Sequence, residues 1–414
     1  MASRGEHLLR GDRGFATGDS RIGRLLAPAF AKVIDQLDAR LERGGIHGTL
    51  PDGTRRDVGF HAPGHVATFH VHSYMALVRL ALAGSVGLYK AWERGEWSSP
   101  DIVPLCALFM DNAASLDDAA RAKGPMRLLN AGMHRLRDNG IGRARENIAA
   151  HYDLGNDFYA AWLDPTMSYS SAIWAEGDDL ETAQRRKIDA LLDRLEVKEG
   201  ARLLEIGCGW GSLAIAAAQR GARVTALTLS TEQKGWAERH IAAAGLSDRI
   251  EVRLQDYREC EGPYDAIASV EMVEAVGERW WPAWFDAIAR NLKSGGRAAI
   301  QYIAIDDALF PAYRKSADFI QTYIFPGGML VSEDRFRSLA ADRGLDWVDR
   351  HDFGLDYART LACWRQRYDR AVATGALDGF SRRFHDLWRF YLDYCEGGFR
   401  GGGIDVAQVT LVRG

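Results

Sequence analysis

Residues 203–218 read LLEIGCGWGSLAIAAA. An apolar run ends at Gly207, glycines recur at Gly209 and Gly211, and an alanine-rich run opens at Ser212. The pattern predicts a buried strand, a glycine turn and a helix. Glycines let the backbone approach a ligand closely, and a helix start offers unpaired N–H groups. Strand and helix patterns alternate outward from this stretch. ARVTALTL (222–229), RIEVRLQD (249–256), YDAIASVEM (264–272) and GRAAIQYIAI (296–305) read as strands. TEQKGWAERHIAAAG (231–245) and RWWPAWFDAIARNL (279–292) read as helices, and GGIDVAQVTLVR (402–413) as a terminal strand. This alternation predicts an α/β fold with a doubly wound, parallel sheet.

The first 120 residues differ and read as a small α+β domain. A helix is expected over Ile22–Leu41, then a hairpin over 46–60 with Pro51-Asp52-Gly53 at its turn. ATFHVHS (67–73) alternates as a strand, and the helix at 77–97 is expected to break near Gly84. Residues 121–146 form a linker in which Arg121, Lys123, Arg127, Arg135, Arg137, Arg143 and Arg145 interleave with apolar positions. That pattern suits contact with an anionic membrane surface. Residues 147–414 are expected to form one catalytic domain.

Composition narrows the classes. The 414 residues are 47% hydrophobic and 26% charged, which excludes a disordered chain. A net charge of −4 argues against bulk nucleic-acid binding. No apolar run is long enough to span a bilayer, and the N-terminus lacks a secretory apolar core. The five cysteines are scattered without metal-ligand spacing, so no metal site is expected and a reducing cytoplasm is.

The glycine spacing is tighter than the GxGxxG of a dinucleotide turn, and Glu205 precedes it by two residues. This form resembles the first motif of class I S-adenosylmethionine (SAM) methyltransferases, with Glu205, Gly207, Gly209 and Gly211 at the cofactor. The next strand ends in Thr228 and Leu229, with Gln233 one helical turn on, where an amide can bond a ribose diol. Gln255, Asp256 and Tyr257 follow the third strand, where Asp256 would accept from an adenine amine and Tyr257 would stack.

NIAAHYDLGNDFYAAWLDPTMSYSSAIW (147–174), YIFPGGML (323–330), FGLDYARTLACWRQRY (353–368) and FYLDYCEGGFRGGGIDVAQVTL (390–411) are more specific. With the glycine loop they resemble the cyclopropane fatty acid synthase family, which includes the mycolic acid cyclopropane synthases. GTLPDG (48–53) and GLYKAWERGEWSSPD (87–101) resemble the extra N-terminal domain of the phospholipid-acting members. The resemblance implies a SAM methyltransferase sheet with a lipid-binding cap. It implies methyl transfer to a cis double bond of a phospholipid acyl chain, through a carbocation that loses a proton and closes a cyclopropane. It further implies a peripheral enzyme at the cytoplasmic membrane face, whose N-terminal domain docks on lipid or forms a homodimer.

Site residues carry over by position. The family's proposed base is a bicarbonate ion, whose contacts fall on Ser171, Glu274, Gln301, Ile303 and Tyr357. Ser171 replaces a family Cys and Gln301 a family His. Serine is harmless if that contact is through the backbone. Glutamine donates a hydrogen bond but takes up no proton. Anion binding would then rest on Gln301 and Tyr357, oriented by Glu274, or the proton leaves another carbon to give a methylene- or methyl-branched product. Glu271 is the weaker acid candidate beside Glu274. Tyr169 and Ser170 are expected at the SAM carboxylate, and His151 and Tyr152 in the cap. Trp174, Tyr302, Tyr323 and Phe325 are candidates for facing the carbocation.

Overall fold

A computed structural model describes residues 4–9, 27–116, 154–315 and 317–414. The basic stretch 121–146, His151 and Tyr152 lie outside the described residues. The chain divides into two compact units. One comprises 1–137, 306–326 and 379–404; the other comprises 138–305, 327–378 and 405–414. The sequence suggests one cut near the linker. In space, two later segments join the N-terminal unit instead.

In the first unit, β1 (Gly45–Thr49) and β2 (Arg55–Gly59) form the expected hairpin. β3 (Val66–Val71) pairs parallel to β1, and β4 (Trp97–Ser98) closes the order β2-β1-β3-β4. Helix Met75–Glu93 breaks at Gly84 (φ +57°), as its sequence suggests. Helices Val103–Asp111 and Arg382–Arg400 meet at Gly397, where a Cβ would stand 2.4 Å from Cys106 Cβ. Only glycine allows that approach. Tyr89, Phe319, Tyr323 and Phe390 pack into one cluster, with Tyr89 and Tyr323 centroids 5.0 Å apart.

The second unit is built on β5 (Arg202–Ile206), β6 (Arg223–Thr228), β7 (Ile250–Leu254), β8 (Tyr264–Val270), β9 (Leu292–Ile305), β10 (Leu345–Asp352) and β11 (Ile404–Arg413). The sheet order is β10-β11-β9-β8-β5-β6-β7. β5 through β9 pair in parallel, and β10 runs antiparallel to β11. Their apolar runs are buried on both faces, as parallel strands require. Small residues Ala226, Ala266, Ala268 and Ala299 let the flanking helices settle close, with Leu191, Leu195, Leu213 and Ile241 filling the layers. Burying each such leucine contributes about 2 kcal/mol.

Helix Leu180–Leu195 starts at the Asp179 cap, which accepts from Thr182 N–H. Its inward stripe includes Leu180, Ala183, Ile188, Leu191 and Leu195, but also Gln184 and Lys187. The chain leaves β5 toward β6 on one side and returns to β8 on the other. That reversal opens a crevice at the carboxyl ends of β5 and β8, where α/β sheets bind ligands.

Candidate active site

The glycine loop forms one wall of this crevice. Gly207, Gly209 and Gly211 hold φ of +85°, +51° and +93°. A Cβ on Gly207 would stand 2.6 Å from Met272 Cγ, and one on Gly211 3.0 Å from Ala237 Cβ. At Gly209 a Cβ would meet nothing within 4 Å. Two glycines therefore serve the chain's own packing, and Gly209 borders open space. Trp210 Nε1 donates to Asn156 Oδ1 (2.7 Å), and the Ser212 hydroxyl donates to the Thr166 carbonyl. The segment preceding the sheet thus clasps the loop.

Glu205 is buried, and its Oε2 has no partner. Burial pushes its carboxyl up to about 8, against the pull of Lys187 and the Ala214 N–H. A buried acceptor without a donor fits a cofactor that brings its own O–H or N–H groups. At the end of β6, Thr228 Oγ1 donates to Gln233 Oε1 (2.9 Å), so these two positions form one polar unit beside half-buried Leu229. Gln255 N–H donates to the Thr228 carbonyl (3.1 Å), and Gln255 Nε2 to that of Glu259 (2.9 Å).

Asp256 departs from its expected freedom. Its oxygens hold the Arg258 guanidinium at 2.8 and 2.7 Å, and it caps the turn through Arg258 N–H. A short loop brings that arginine back on its own acid, which the strand pattern does not reveal. Tyr257 lies buried beside it with its hydroxyl unpartnered. Tyr169 packs against Tyr159, Trp162 and Trp364 at 5.4–5.6 Å between centroids. Ser170 Oγ accepts from Lys187 Nζ (2.6 Å).

The other wall lies past the ends of β8 and β9. Glu271 follows β8 in a left-handed conformation, φ +45°. Its N–H donates to the Gln301 carbonyl (2.8 Å), extending the ladder by one bond. Its carboxylate gathers three donors: Ser171 N–H on Oε1 (2.9 Å), Gln301 Nε2 on Oε1 (2.7 Å) and Tyr357 OH on Oε2 (2.9 Å). Gln301 Oε1 in turn accepts from Gln408 Nε2 (3.0 Å), so its amide can present only nitrogen to the acid. Gln408 Oε1 accepts from Arg194 Nε (3.2 Å). Ser171, Gln301 and Gln408 are fully buried. Burial pushes the Glu271 carboxyl up, while Gln301, Ser171, Lys187 and Tyr357 pull it back.

Three of the five anion-site positions, Ser171, Gln301 and Tyr357, thus gather around a different acid. Ser171 contributes its backbone N–H, which any residue but proline supplies. Glu274 binds elsewhere: Oε1 accepts from Ile303 N–H, Oε2 is buried without a partner, and its carbonyl accepts from Met329 N–H (2.7 Å). Burial and the nearby Glu271 charge push the Glu274 carboxyl up to about 8. Glu274 does not orient Gln301 and Tyr357; Glu271 does. The two-residue strand period stops at Val270, and the left-handed residue after it sets which acid turns inward.

The aromatic candidates disperse. Tyr302 alternates with Gln301 and Ile303 to the opposite face, where its hydroxyl donates to Glu333. The Trp174 ring face is covered by the Arg359 guanidinium, 4.0 Å from its centroid. Tyr323 and Phe325 belong to the first unit, Tyr323 in the Tyr89 cluster and Phe325 against Tyr391. Lys187 is a group the sequence reading missed. Buried with its ammonium pushed down to about 8 by desolvation, it is pulled upward by Glu271, Asp164 and Glu205. A lysine in the apolar stripe of an amphipathic helix was its available signal.

A glycine loop at a switch point, an orphaned buried acid and a second polar wall define a class I SAM-dependent methyltransferase. The chain belongs to the family described as mycolic acid cyclopropane synthetase, which matches residues 139–409. It is 38% identical over 413 residues to tuberculostearic acid methyltransferase UfaA1 of Mycobacterium tuberculosis, covering 94% of this chain and 92% of that one. It is 34% identical over 344 residues to the cyclopropane-fatty-acyl-phospholipid synthase of Escherichia coli, covering 81% and 85%. Among solved structures, the cyclopropane synthase MmaA2 of Mycobacterium tuberculosis superposes with a TM-score of 0.61 at 31% identity, over 65% of this chain and 98% of that one. Mycolic acid cyclopropane synthase CmaA1, solved with SAH and CTAB, gives 0.61 at 30%, with the same coverage.

The described residues fit SAM: Gly209 opens to space, and Glu205 Oε2 awaits a donor. They do not fit bicarbonate as expected, because the Ser171, Gln301 and Tyr357 donors are already spent on Glu271.

Proposed function

We propose that this protein transfers the methyl carbon of SAM to a cis double bond in a phospholipid acyl chain. The observation that carries this reading is the pairing of the glycine loop and the Glu271 cluster at one switch point. Coverage supports a phospholipid over a mycolic substrate. The enzymes named for mycolic acid match only about two thirds of this chain, with 64% for cyclopropane mycolic acid synthase 3 of Mycobacterium tuberculosis. The enzyme named for phospholipid matches 81% and so reaches into the N-terminal unit.

Bound SAM supplies an electrophilic methyl group on a sulfonium. An alkene is a weak nucleophile, so the chain must hold it in line and keep water out. Gly209 admits the cofactor, Glu205 and the Thr228–Gln233 pair offer polar contacts to it, and Tyr159, Trp162, Tyr169, Trp210 and Trp364 form an aromatic wall. Among the described residues no helix is long and apolar enough to cross a membrane. A phospholipid acyl chain is met at a membrane surface, and the charge pattern of the basic stretch 121–146 suits it as docking element. Each Lys or Arg near anionic lipid contributes about 1 kcal/mol.

The product we favour is a cyclopropane. A methylene branch is the second reading, supported by Gln301 at the family's histidine position and by the similarity to a relative named a methyltransferase. Fatty acids of cells expressing the protein, analysed by gas chromatography–mass spectrometry before and after mild hydrogenation, decide. A gain of one CH₂ that resists hydrogenation is expected. A gain that takes up hydrogen selects the branch, and no gain rejects the lipid reaction.

A further inference from the structure

The cluster past β8 reads as a site whose anion is built into the chain. We propose that the Glu271 carboxylate is the proton acceptor of this enzyme, standing where a soluble bicarbonate would otherwise sit. The inference rests on the lipid reaction proposed above. Three donors converge on Glu271 from three distant segments: a backbone N–H at Ser171, an amide at Gln301 and a phenol at Tyr357. The amide cannot turn, because Gln408 donates to its oxygen. Oε1 accepts two bonds and is filled; Oε2 accepts one, which leaves it a lone pair for a proton.

The surrounding groups favour one negative charge there. Glu274, its carboxyl raised by burial and by Glu271, is held neutral near pH 7, and Lys187 supplies the compensating cation. The Gln301 amide neither takes up nor gives up a proton at ordinary pH, so Glu271 is the acid beside the donors able to change protonation. A free anion would find its donors occupied and a carboxylate beside it. Glu271 also keeps its left-handed backbone although glycine would adopt it without strain, a cost that outliers at functional sites commonly carry.

The step balances. The alkene π pair forms a bond to the methyl carbon as the sulfur–carbon bond breaks, leaving a thioether and a carbocation on the lipid. A C–H bond of the added carbon then breaks. Its electron pair closes the ring, and its proton goes to Glu271 Oε2, then to solvent.

Two measurements on the full chain test this. The first is binding of ¹³C-bicarbonate, followed by NMR, which needs no turnover. Wild type is expected to bind none, and Glu271→Gly, which suits φ +45° and vacates the seat, to bind it. Bicarbonate bound by wild type, or by neither protein, overturns the proposal. The second is methyl transfer from labelled SAM to dioleoyl phospholipid vesicles, with and without bicarbonate. Wild type is expected to ignore bicarbonate. Glu271→Gln should lose about 1,000-fold in turnover while binding SAM normally, and bicarbonate should restore Glu271→Gly. Glu271→Gln within about tenfold of wild type, or a wild type that needs bicarbonate, overturns the assignment. A wild type that transfers no methyl rejects the lipid reaction, while the binding measurement still decides the seat.

Discussion

The two walls of the crevice are made differently. The glycine wall is one continuous stretch, Glu205 to Ser212, and it works through backbone. The carboxylate wall joins Ser171, Glu271, Gln301, Tyr357 and Gln408, spread across 238 positions from first to last, and it works mostly through side chains. A backbone site needs only local conformation, so its residues stay adjacent. A side-chain site needs donors from several directions, and only long-range folding brings those together.

The largest effect that would sharpen this contrast is at Gly209. Gly209→Val forces a branched side chain into φ +51° and into the space left open for the cofactor. SAM affinity should fall about 100-fold or more, read by calorimetry, while the fold survives. Gly207→Ala should instead lower stability, because its Cβ meets Met272. If both variants bind SAM normally, the wall is misread.

Gln408→Leu should act at a distance. It frees the Gln301 amide to flip, and it removes the bond that the Lys187 carbonyl accepts from Gln408 Nε2 at 3.2 Å. Turnover should drop about tenfold with KM and SAM affinity unchanged, and the acid limb of the pH–rate profile should move. An unmoved profile would make Gln408 a packing residue. Gln408 is thus a positioning residue for Glu271.

The smallest effect concerns Glu205. Its carboxyl titrates near 8 in the fold and at the ordinary carboxyl value when unfolded. A raised carboxyl favours the folded state fully below the unfolded value, and that contribution is lost as pH rises toward 8. Glu205→Gln without cofactor should therefore melt like wild type at pH 4 and about 3 °C higher at pH 8. Equal melting at both would mean that the acid is not desolvated.

Much of this was legible. The glycine spacing, the strand alternation, the hairpin at Pro51–Gly53 and the break at Gly84 follow from local conformational rules, and the structure has each of them. Ser171, Gln301 and Tyr357 were read together from the family's motifs, and they meet at Glu271. The reading that Glu274 orients Gln301 and Tyr357 is corrected: both donate to Glu271. Both acids close the same apolar strand, three residues apart, and pattern alone cannot say which one a positive φ turns toward Gln301. Polar intruders in apolar runs were the unread signal: Lys187 and Gln184 on a helix stripe, Gln408 within a strand. A buried polar side chain without a partner is costly, so each intruder implies one.

The sequence by itself determined the strand–glycine–helix turn, the parallel sheet and the methyltransferase family, because these rest on short-range backbone preference and on contiguous motifs. Only the tertiary structure decided that Glu271, not Glu274, takes the three donors, that Asp256 is tied to Arg258, and that Tyr302 and Tyr323 point into other surroundings. Those outcomes depend on where side chains from distant segments meet, and no local preference encodes a meeting point.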